Sequence, residues 1–264
     1  MIFETPEGVL AWLAQRPTWI IASLLFGLGI LFTLGGVLLT NAYLTPQRLI
    51  ANNAVASFKF AFVAEIFAGL MAFLLVGAGD RHFTANSQVF SEVAMLDGLR
   101  VVVDVMPEVE RRPFEQALSE YALAVAGSEW ESMSRGEESP FAAHAFEAML
   151  AQWFALAPST PQENSAVLLG NQMIAVAAEA RVARLNNNVS QAVASLSWFT
   201  LLGLAAATIA FNWFFGTGSL RSQLGMALVL SVGIMTCTVL AFLLSFPFAG
   251  ERAIDPAPFM ALAT

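Results

Sequence analysis

Glu65 is the residue whose type and position point most clearly to chemistry. It lies near the middle of the second of four hydrophobic segments, where an ionisable side chain costs about 3 kcal/mol to insert into a bilayer. Such residues are kept mainly where they face other helices or a water-filled path. We therefore treat Glu65 as a candidate for an ion pathway. The alternative is a protonated Glu65 that hydrogen-bonds a neighbouring helix and has a structural role only.

Small residues share the helical face of Glu65. Residues three and four positions apart lie on the same side of an α-helix, and Ala61, Ala68, Gly69 and Ala72 have this spacing. Polar side chains precede them along the chain, at the start of the same segment. The candidate pore-lining residues are therefore Asn52, Asn53, Ser57, Ala61, Glu65, Gly69 and Ala72.

The remaining reactive side chains do not combine into a catalytic, cofactor-binding or metal-binding site. Cys237 is the only cysteine, which excludes an intrachain disulfide and a thiolate cluster. His82 and His144 are far apart, and neither has a second ligand at metal-binding spacing. We expect neither an enzyme nor a cofactor. The neighbouring carboxylates of the middle region are interpreted as solvated helix faces: Glu129 with Glu131, and Glu137 with Glu138.

The composition predicts an integral membrane protein. Hydrophobic residues make up 57% of the 264 residues, and charged residues only 12%, against about 25% in soluble domains. About 20 apolar residues are needed to span the hydrocarbon core. Four segments qualify as transmembrane helices, at residues 18–40, 57–79, 194–215 and 223–246. We expect an interfacial N-terminal segment at residues 1–17 and a C-terminal tail at residues 247–264.

Four crossings place both termini and the long middle region on the same side of the membrane. Basic residues near the span ends favour that side as the cytoplasmic one, and we expect a multi-pass protein of the bacterial inner membrane. Arg16, Arg81, Arg181, Arg184 and Arg252 lie on the predicted cytoplasmic side, against Arg48, Lys59 and Arg221 on the other.

The middle region, residues 80–191, is predicted to be an acidic, bundle-like helical domain inserted between the second and third spans. Its first helix ends at Pro107, and the next begins near Pro113. Its last helix starts with a capping box, in which Thr160 is the N-cap and Glu163 the N3 residue. Acidic residues clearly outnumber arginines here. That charge argues against nucleic acid as a partner and leaves a basic protein partner open.

Faces of small residues in the last two spans predict close helix packing. The residues concerned are Gly203 and Ala207 in the third span, and Gly233, Cys237 and Ala241 in the fourth. Packing within one chain and packing between chains in an oligomer explain them equally well.

Several stretches, taken in order, resemble the bestrophin-like family of bacterial membrane proteins over nearly the whole chain. They are Asn52-Asn53-Ala54-Val55-Ala56; the segment from Tyr121 to Glu129-Trp130 with Met133, Arg135 and Gly136; Phe214-Phe215-Gly216; and Pro247-Phe248-Ala249-Gly250 with Ile254, Pro256, Pro258 and Phe259.

The resemblance implies four spans, a cytoplasmic helical region and a distant relation to bestrophins, which are oligomeric anion channels. This chain departs from the family pattern at three positions. Ser57 stands where glycine is usual, Ser245 where an acidic residue is usual, and Glu65 where residues are apolar or small. An ionised Glu65 would repel chloride.

Two functions are consistent with these observations. The first is a homo-oligomeric ion channel with the second spans around the pore, Asn52 and Asn53 at its mouth, and Ser57 and Glu65 deeper along it. The second is a non-conducting membrane scaffold or accessory subunit, whose acidic domain docks a basic partner. An enzyme would need convergent polar residues, which the sequence does not offer.

Overall fold

The computed structural model describes the backbone of residues 12–189 and 191–263 and the side chains of residues 12–188 and 198–263. The regular elements in these ranges are helices, as predicted, and no strand is present in them. The helices are α1 (Thr18–Tyr43), α2 (Pro46–Val103), α3 (Glu108–Ala124), α4 (Trp130–Ser134), α5 (Pro140–Phe154), α6 (Pro161–Val189), α7 (Gln191–Asn212), α8 (Leu220–Ser245) and α9 (Ala257–Leu262). A π turn, Val125–Glu129, lies between α3 and α4.

The chain forms two compact units. The first contains residues 1–80 and 192–245, and the second contains residues 81–191 and 246–264. The predicted inserted domain, residues 80–191, therefore corresponds to most of the second unit. The predicted C-terminal tail is part of the second unit as well, because the side chains that follow α8 contribute to its hydrophobic core. Helix α2 supplies residues to both units.

Four helices of the described chain are long and apolar enough to cross a membrane. Three of them are α1, α2 and α8, with mean hydropathies of 2.3, 2.2 and 2.5 in their most apolar windows. They contain the predicted spans 18–40 and 57–79 and nearly all of 223–246. The fourth is Pro161–Asn188 in α6, at a mean hydropathy of 1.2. The predicted span 194–215 corresponds to α7, whose described apolar part, Trp198–Asn212, is shorter.

Close contacts at glycines hold the first unit together. A Cβ added at Gly29 of α1 would lie 2.7 Å from the side chain of Met235 in α8, and one at Gly36 would overlap the Trp213 indole. Thr33 donates a hydrogen bond to the Gly29 carbonyl at 2.7 Å and keeps its hydroxyl satisfied. Small residues let apolar helices approach where burial against lipid offers little driving force.

The second unit is built around a hydrophobic core that α2, α3, α5 and α6 share. Its fully buried side chains include Leu99, Phe114 and Trp153. The Trp153 indole N–H donates to the Asn171 amide oxygen at 2.8 Å, so its one polar group is satisfied. This arrangement of amphipathic helices around one core is typical of a helical bundle.

The starts of two of these helices test the local sequence signals. The predicted capping box at α6 is confirmed, because the Glu163 amide donates to the Thr160 hydroxyl at 3.2 Å and the Thr160 amide donates back to the Glu163 carboxylate at 3.1 Å. The predicted start of α3 near Pro113 is wrong. The helix begins at Glu108, directly after Pro107, and Pro113 lies inside it.

Candidate functional site

The predicted pore-lining face of α2 is exposed on the single chain. The exposed side chains of this set are Asn52, Ser57, Ala61, Glu65, Gly69 and Ala72. Apart from Asn52, they lie within about a third of the helix circumference at 3.6 residues per turn. The buried side of α2 in the same stretch carries Phe67 and Met71 instead. Within the described chain, therefore, α2 packs through one side and leaves the side of Glu65 uncovered.

Glu65 has no hydrogen-bond or ion-pair partner among the described residues. Its surroundings on α2 are apolar, and Phe62 and Ile66 beside it are themselves exposed. The other described helices of the same chain therefore offer Glu65 no hydrogen bond that would give it a structural role. A carboxylate on the outer surface of an apolar helix requires water, an ion or another copy of the chain to satisfy it.

Asn53 belongs to a different arrangement from its neighbour Asn52. Its side-chain amide donates to the Gly216 carbonyl at 2.9 Å, and its amide oxygen accepts from the Gly216 N–H at 3.0 Å. A Cβ at Gly216 would lie 2.4 Å from the Ile50 backbone nitrogen, so only glycine allows this approach. Asn53 therefore joins the segment after α7 to the start of α2, and its amide groups are occupied.

A cavity of about 370 Å³ lies beside this junction in the first unit. It is lined by neutral polar and apolar side chains, which include Ser57, Phe60, Asn212, Thr217 and Gln223. The Ser57 hydroxyl donates to the Asn53 carbonyl at 2.5 Å. No charged side chain lines the cavity among the described residues. It can hold water or a small polar molecule, but it offers no charge that would discriminate between ions.

Most of the predicted packing residues lie on the surface of the single chain. Gly203, Ala207, Gly233 and Cys237 are exposed, and a Cβ at either glycine would meet nothing within 4 Å. Ala241 is fully buried. Packing inside the described chain therefore uses other small residues, Gly29 and Gly36 among them, and the exposed four are available to lipid or to another copy.

A buried ionic cluster that the sequence interpretation missed lies in the second unit. The Arg184 guanidinium contacts Glu92 at 2.9 Å and Glu129 at 3.2 Å, and all three side chains are fully buried. Arg181, which is mostly buried, contacts Glu129 at 2.8 Å. Two cations and two carboxylates thus balance, as burial of charge requires.

Neutral groups complete the cluster. The Tyr121 hydroxyl donates to Glu92 at 2.5 Å, and the Arg184 guanidinium lies over the Trp130 and Phe259 rings at 5.7 and 5.5 Å. Burial disfavours the phenolate and, together with the Glu92 charge, holds the pKa of Tyr121 well above its usual value. Tyr121 therefore remains a donor. Each charge is paired and shielded from solvent, so the loss of any one partner would leave an uncompensated buried charge.

The prediction that Glu129 and Glu131 form one solvated face is wrong for Glu129. Glu131 is exposed and pairs with Arg135 at the surface, whereas Glu129 is fully buried. Glu129 is the last residue of the π turn Val125–Glu129. Glu129 follows the buried residues Tyr121 and Val125 by eight and four positions, so the helical periodicity itself assigns it to the buried side.

A sequence signal for the cluster does exist. Glu92 occurs within an apolar pattern of three- and four-residue spacing that includes Val89, Leu96 and Leu99, and so occupies a core position of α2. Charged residues are almost never fully buried unless they are paired. A carboxylate at a core position therefore predicts a buried basic partner, but not which of the seven arginines of residues 81–191 it is.

These features define a helical membrane protein with apolar helices in one unit and an ion-paired helical bundle in the other. The model of the family described as Bestrophin-like domain matches residues 27–259. The chain belongs to the bestrophin-like family, as the resemblance of its motifs predicts. Comparisons with curated proteins and with solved structures give no match.

Several of the separated stretches that carry the resemblance contact one another in the structure. Asn53 and Gly216 come from two of these stretches and bind each other in the first unit. In the second unit, the Trp130 indole N–H donates to the Ile254 carbonyl at 2.9 Å, and its ring packs on Phe248 and Phe259. Residues far apart in sequence are thus brought into contact at two places, one in each unit.

Proposed function

We propose that the chain assembles into a homo-oligomeric ion channel of the bacterial inner membrane, with copies of α2 around the conduction path. The observation that carries this proposal is the unpartnered carboxylate of Glu65 on the uncovered face of an apolar helix. Exposure of that carboxylate to lipid would be costly, and a water-filled path between copies removes the cost. Membership of the bestrophin-like family supports the proposal.

The proposed spans are α1, the first part of α2, α7 and α8. Helix α6 is a poorer span, although its length and composition admit it, because it carries Glu163, Glu179, Arg181 and Arg184. Arg184 of α6 is bound within the ionic cluster of the second unit. This assignment gives four crossings and places both termini and the second unit on one side.

We propose that this side is cytoplasmic, as the resemblance implies. Arg181 and Arg184 are paired with buried carboxylates, so they contribute little to the charge bias that orients the spans. A direct test is therefore needed. With Cys237→Ala as background, a cysteine at the exposed position Glu138 should react with a membrane-impermeant thiol reagent only after the inner membrane is opened. Labelling of intact spheroplasts would reverse the orientation.

Ion flux from liposomes that contain the purified protein tests the channel proposal. Wild type and Glu65→Gln are compared over a range of pH and of cations and anions. Flux that the substitution alters supports a channel with Glu65 on its path. Flux that is unchanged removes Glu65 from the path. An absence of flux under all conditions contradicts the channel and favours the second function below.

Cysteine substitution can test which side of α2 faces the path. Ala61→Cys lies one turn from Glu65 on the same face, whereas Leu70→Cys is exposed on a different side of the helix. In the Cys237→Ala background, a charged thiol reagent should reduce flux through the first variant and leave the second unchanged. Equal inhibition of both would contradict the proposed face.

A second candidate function is a membrane scaffold that docks a basic protein through the second unit. The observation in its favour is the surface charge of that unit. Its exposed carboxylates include Glu120, Glu137 and Glu138, whereas Arg184 is buried and Arg181 mostly buried in ion pairs. A stoichiometric partner that co-purifies with wild type, and is lost from a Glu137→Gln/Glu138→Gln variant, would support this function.

A further inference from the structure

We propose that the channel conducts small inorganic cations in preference to anions, with the Glu65 carboxylates as the selectivity ring. This inference rests on the proposed function, and it differs from the anion conduction that the relation to bestrophins implies. In a closed symmetric oligomer every copy supplies the same residue at the same height. One Glu65 per chain therefore produces a ring of carboxylates, which is how many cation channels select their ion.

The charge distribution along the apolar helices is the first argument. The predicted spans, at residues 18–40, 57–79, 194–215 and 223–246, together contain two charged side chains, Lys59 at the start of the second span and Glu65 near its middle. Beyond Lys59, an ion that crosses this region meets no fixed charge other than Glu65 that could compensate for its lost hydration. Within such a low-dielectric region, the attraction of a carboxylate for a cation and its repulsion of an anion are both strong.

The positions of the basic residues of α2 are the second argument. Arg48 and Lys59 lie on the same helix as Glu65, but at 100° per residue they are rotated by roughly 100° to 120° from it around the axis. Arg48 is close to the start of α2, and Lys59 is close to the start of the predicted span 57–79, where a long side chain can reach the interface. They are therefore not positioned to neutralise Glu65 or to attract anions to its face.

The size of the neighbouring residues is the third argument. One turn before and one turn after Glu65, the exposed face carries Ala61 and Gly69, and a Cβ at Gly69 would meet nothing within 4 Å in the described chain. The Ser57 hydroxyl lies two turns before Glu65 on this side. Small and hydroxyl side chains leave room for a cation that retains part of its hydration shell.

Reversal potentials in planar bilayers test the inference. Under a KCl gradient, wild-type currents should reverse close to the equilibrium potential of K⁺. Glu65→Gln should lower the ratio of K⁺ to Cl⁻ permeability by about tenfold, equivalent to about 1.4 kcal/mol. Glu65→Asp retains the charge and should retain the preference. Glu138→Gln removes one exposed carboxylate from the second unit and should leave the ratio unchanged.

The outcomes separate this inference from the channel proposal. Currents that reverse close to the Cl⁻ potential in wild type, or a ratio that Glu65→Gln does not change, overturn cation selectivity while the channel stands. An absence of current in wild type and in Glu65→Asp overturns the channel proposal, and cation selectivity falls with it. Size-exclusion profiles and helical circular dichroism establish that each variant is folded before its currents are compared.

Discussion

Carboxylates occur in two contrasting environments in this protein. In the second unit, Glu92 and Glu129 are fully buried and bound by arginines. In the first unit, Glu65 is exposed on an apolar helix and has no partner in the described chain. A buried charge whose interactions are complete contributes to the fold. A charge that the fold leaves unpaired at a costly position is a candidate for function.

The two units also differ in how their helices pack. The first depends on close approach at glycines, such as Gly29 and Gly216. The second depends on a core of large side chains such as Phe114 and Trp153, together with the ionic cluster. The difference is physical, because apolar burial stabilises a helical bundle in water but gives little net gain between helices that already lie in lipid.

The largest expected effect is that of Arg184→Met. This change leaves Glu92 and Glu129 buried with their main cation removed, and should lower the free energy of unfolding by about 3–5 kcal/mol. Thermal unfolding in detergent, followed by circular dichroism, measures the effect. The control is Arg112→Met, which breaks the exposed pair with Glu108 and should cost under about 1 kcal/mol. Similar losses in both variants would show that Glu92 and Glu129 do not depend on Arg184 to compensate their charges.

Matched neutralisation of two carboxylates compares the environments directly. Glu92→Gln weakens the buried ion pair with Arg184 and should destabilise the protein by about 2–3 kcal/mol. Glu65→Gln removes a charge that has no partner and should change the free energy of unfolding by less than about 0.5 kcal/mol. Both are measured by thermal unfolding in one detergent. A large loss of stability in Glu65→Gln would mean that Glu65 has a structural partner, such as a second copy.

Glycine substitutions examine the packing of the first unit. Gly216→Ala places a methyl group against the Ile50 backbone nitrogen and should cost about 1–3 kcal/mol by overpacking. Gly203→Ala adds the same group where nothing lies within 4 Å, and within a helix it should be neutral or slightly stabilising. The unfolding midpoint of Gly216→Ala should therefore fall, whereas that of Gly203→Ala should stay unchanged or rise slightly. Equal midpoints would contradict the close approach at Gly216.

The smallest expected effect concerns pH and Tyr121. The folded state holds the pKa of Tyr121 above its usual value of 10.0. As the pH rises above 10.0, the Tyr121 hydroxyl therefore loses its proton in the unfolded chain before it does so in the folded protein. The stability due to Tyr121 is complete below pH 10.0 and falls as pH rises, by at most about 1.4 kcal/mol per unit. Unfolding midpoints from about pH 8 to pH 11 should show a weaker alkaline decline in Tyr121→Phe. Identical declines would exclude Tyr121 as the titrating group.

The sequence by itself determined the class of the protein and much of its helical outline. Low charge content and long apolar runs follow from composition, and they predict the helical membrane protein that the structure and the family match support. The capping box at Thr160 and Glu163 could also be predicted from the sequence, because its hydrogen bonds join residues three positions apart. Local patterns of this kind need no knowledge of distant contacts.

Only the tertiary structure decided which side chains find partners. Asn52 and Asn53 are chemically identical neighbours, yet Asn53 binds Gly216 and Asn52 is exposed. Glu129 lies on the buried side of its helix, but the cation that compensates it, Arg184, comes from another helix. Pairing depends on the positions of residues far apart in the chain, and helical periodicity carries no information about them. The sequence therefore singles out Glu65 as a costly charge, and the structure shows that the described chain leaves it unpaired.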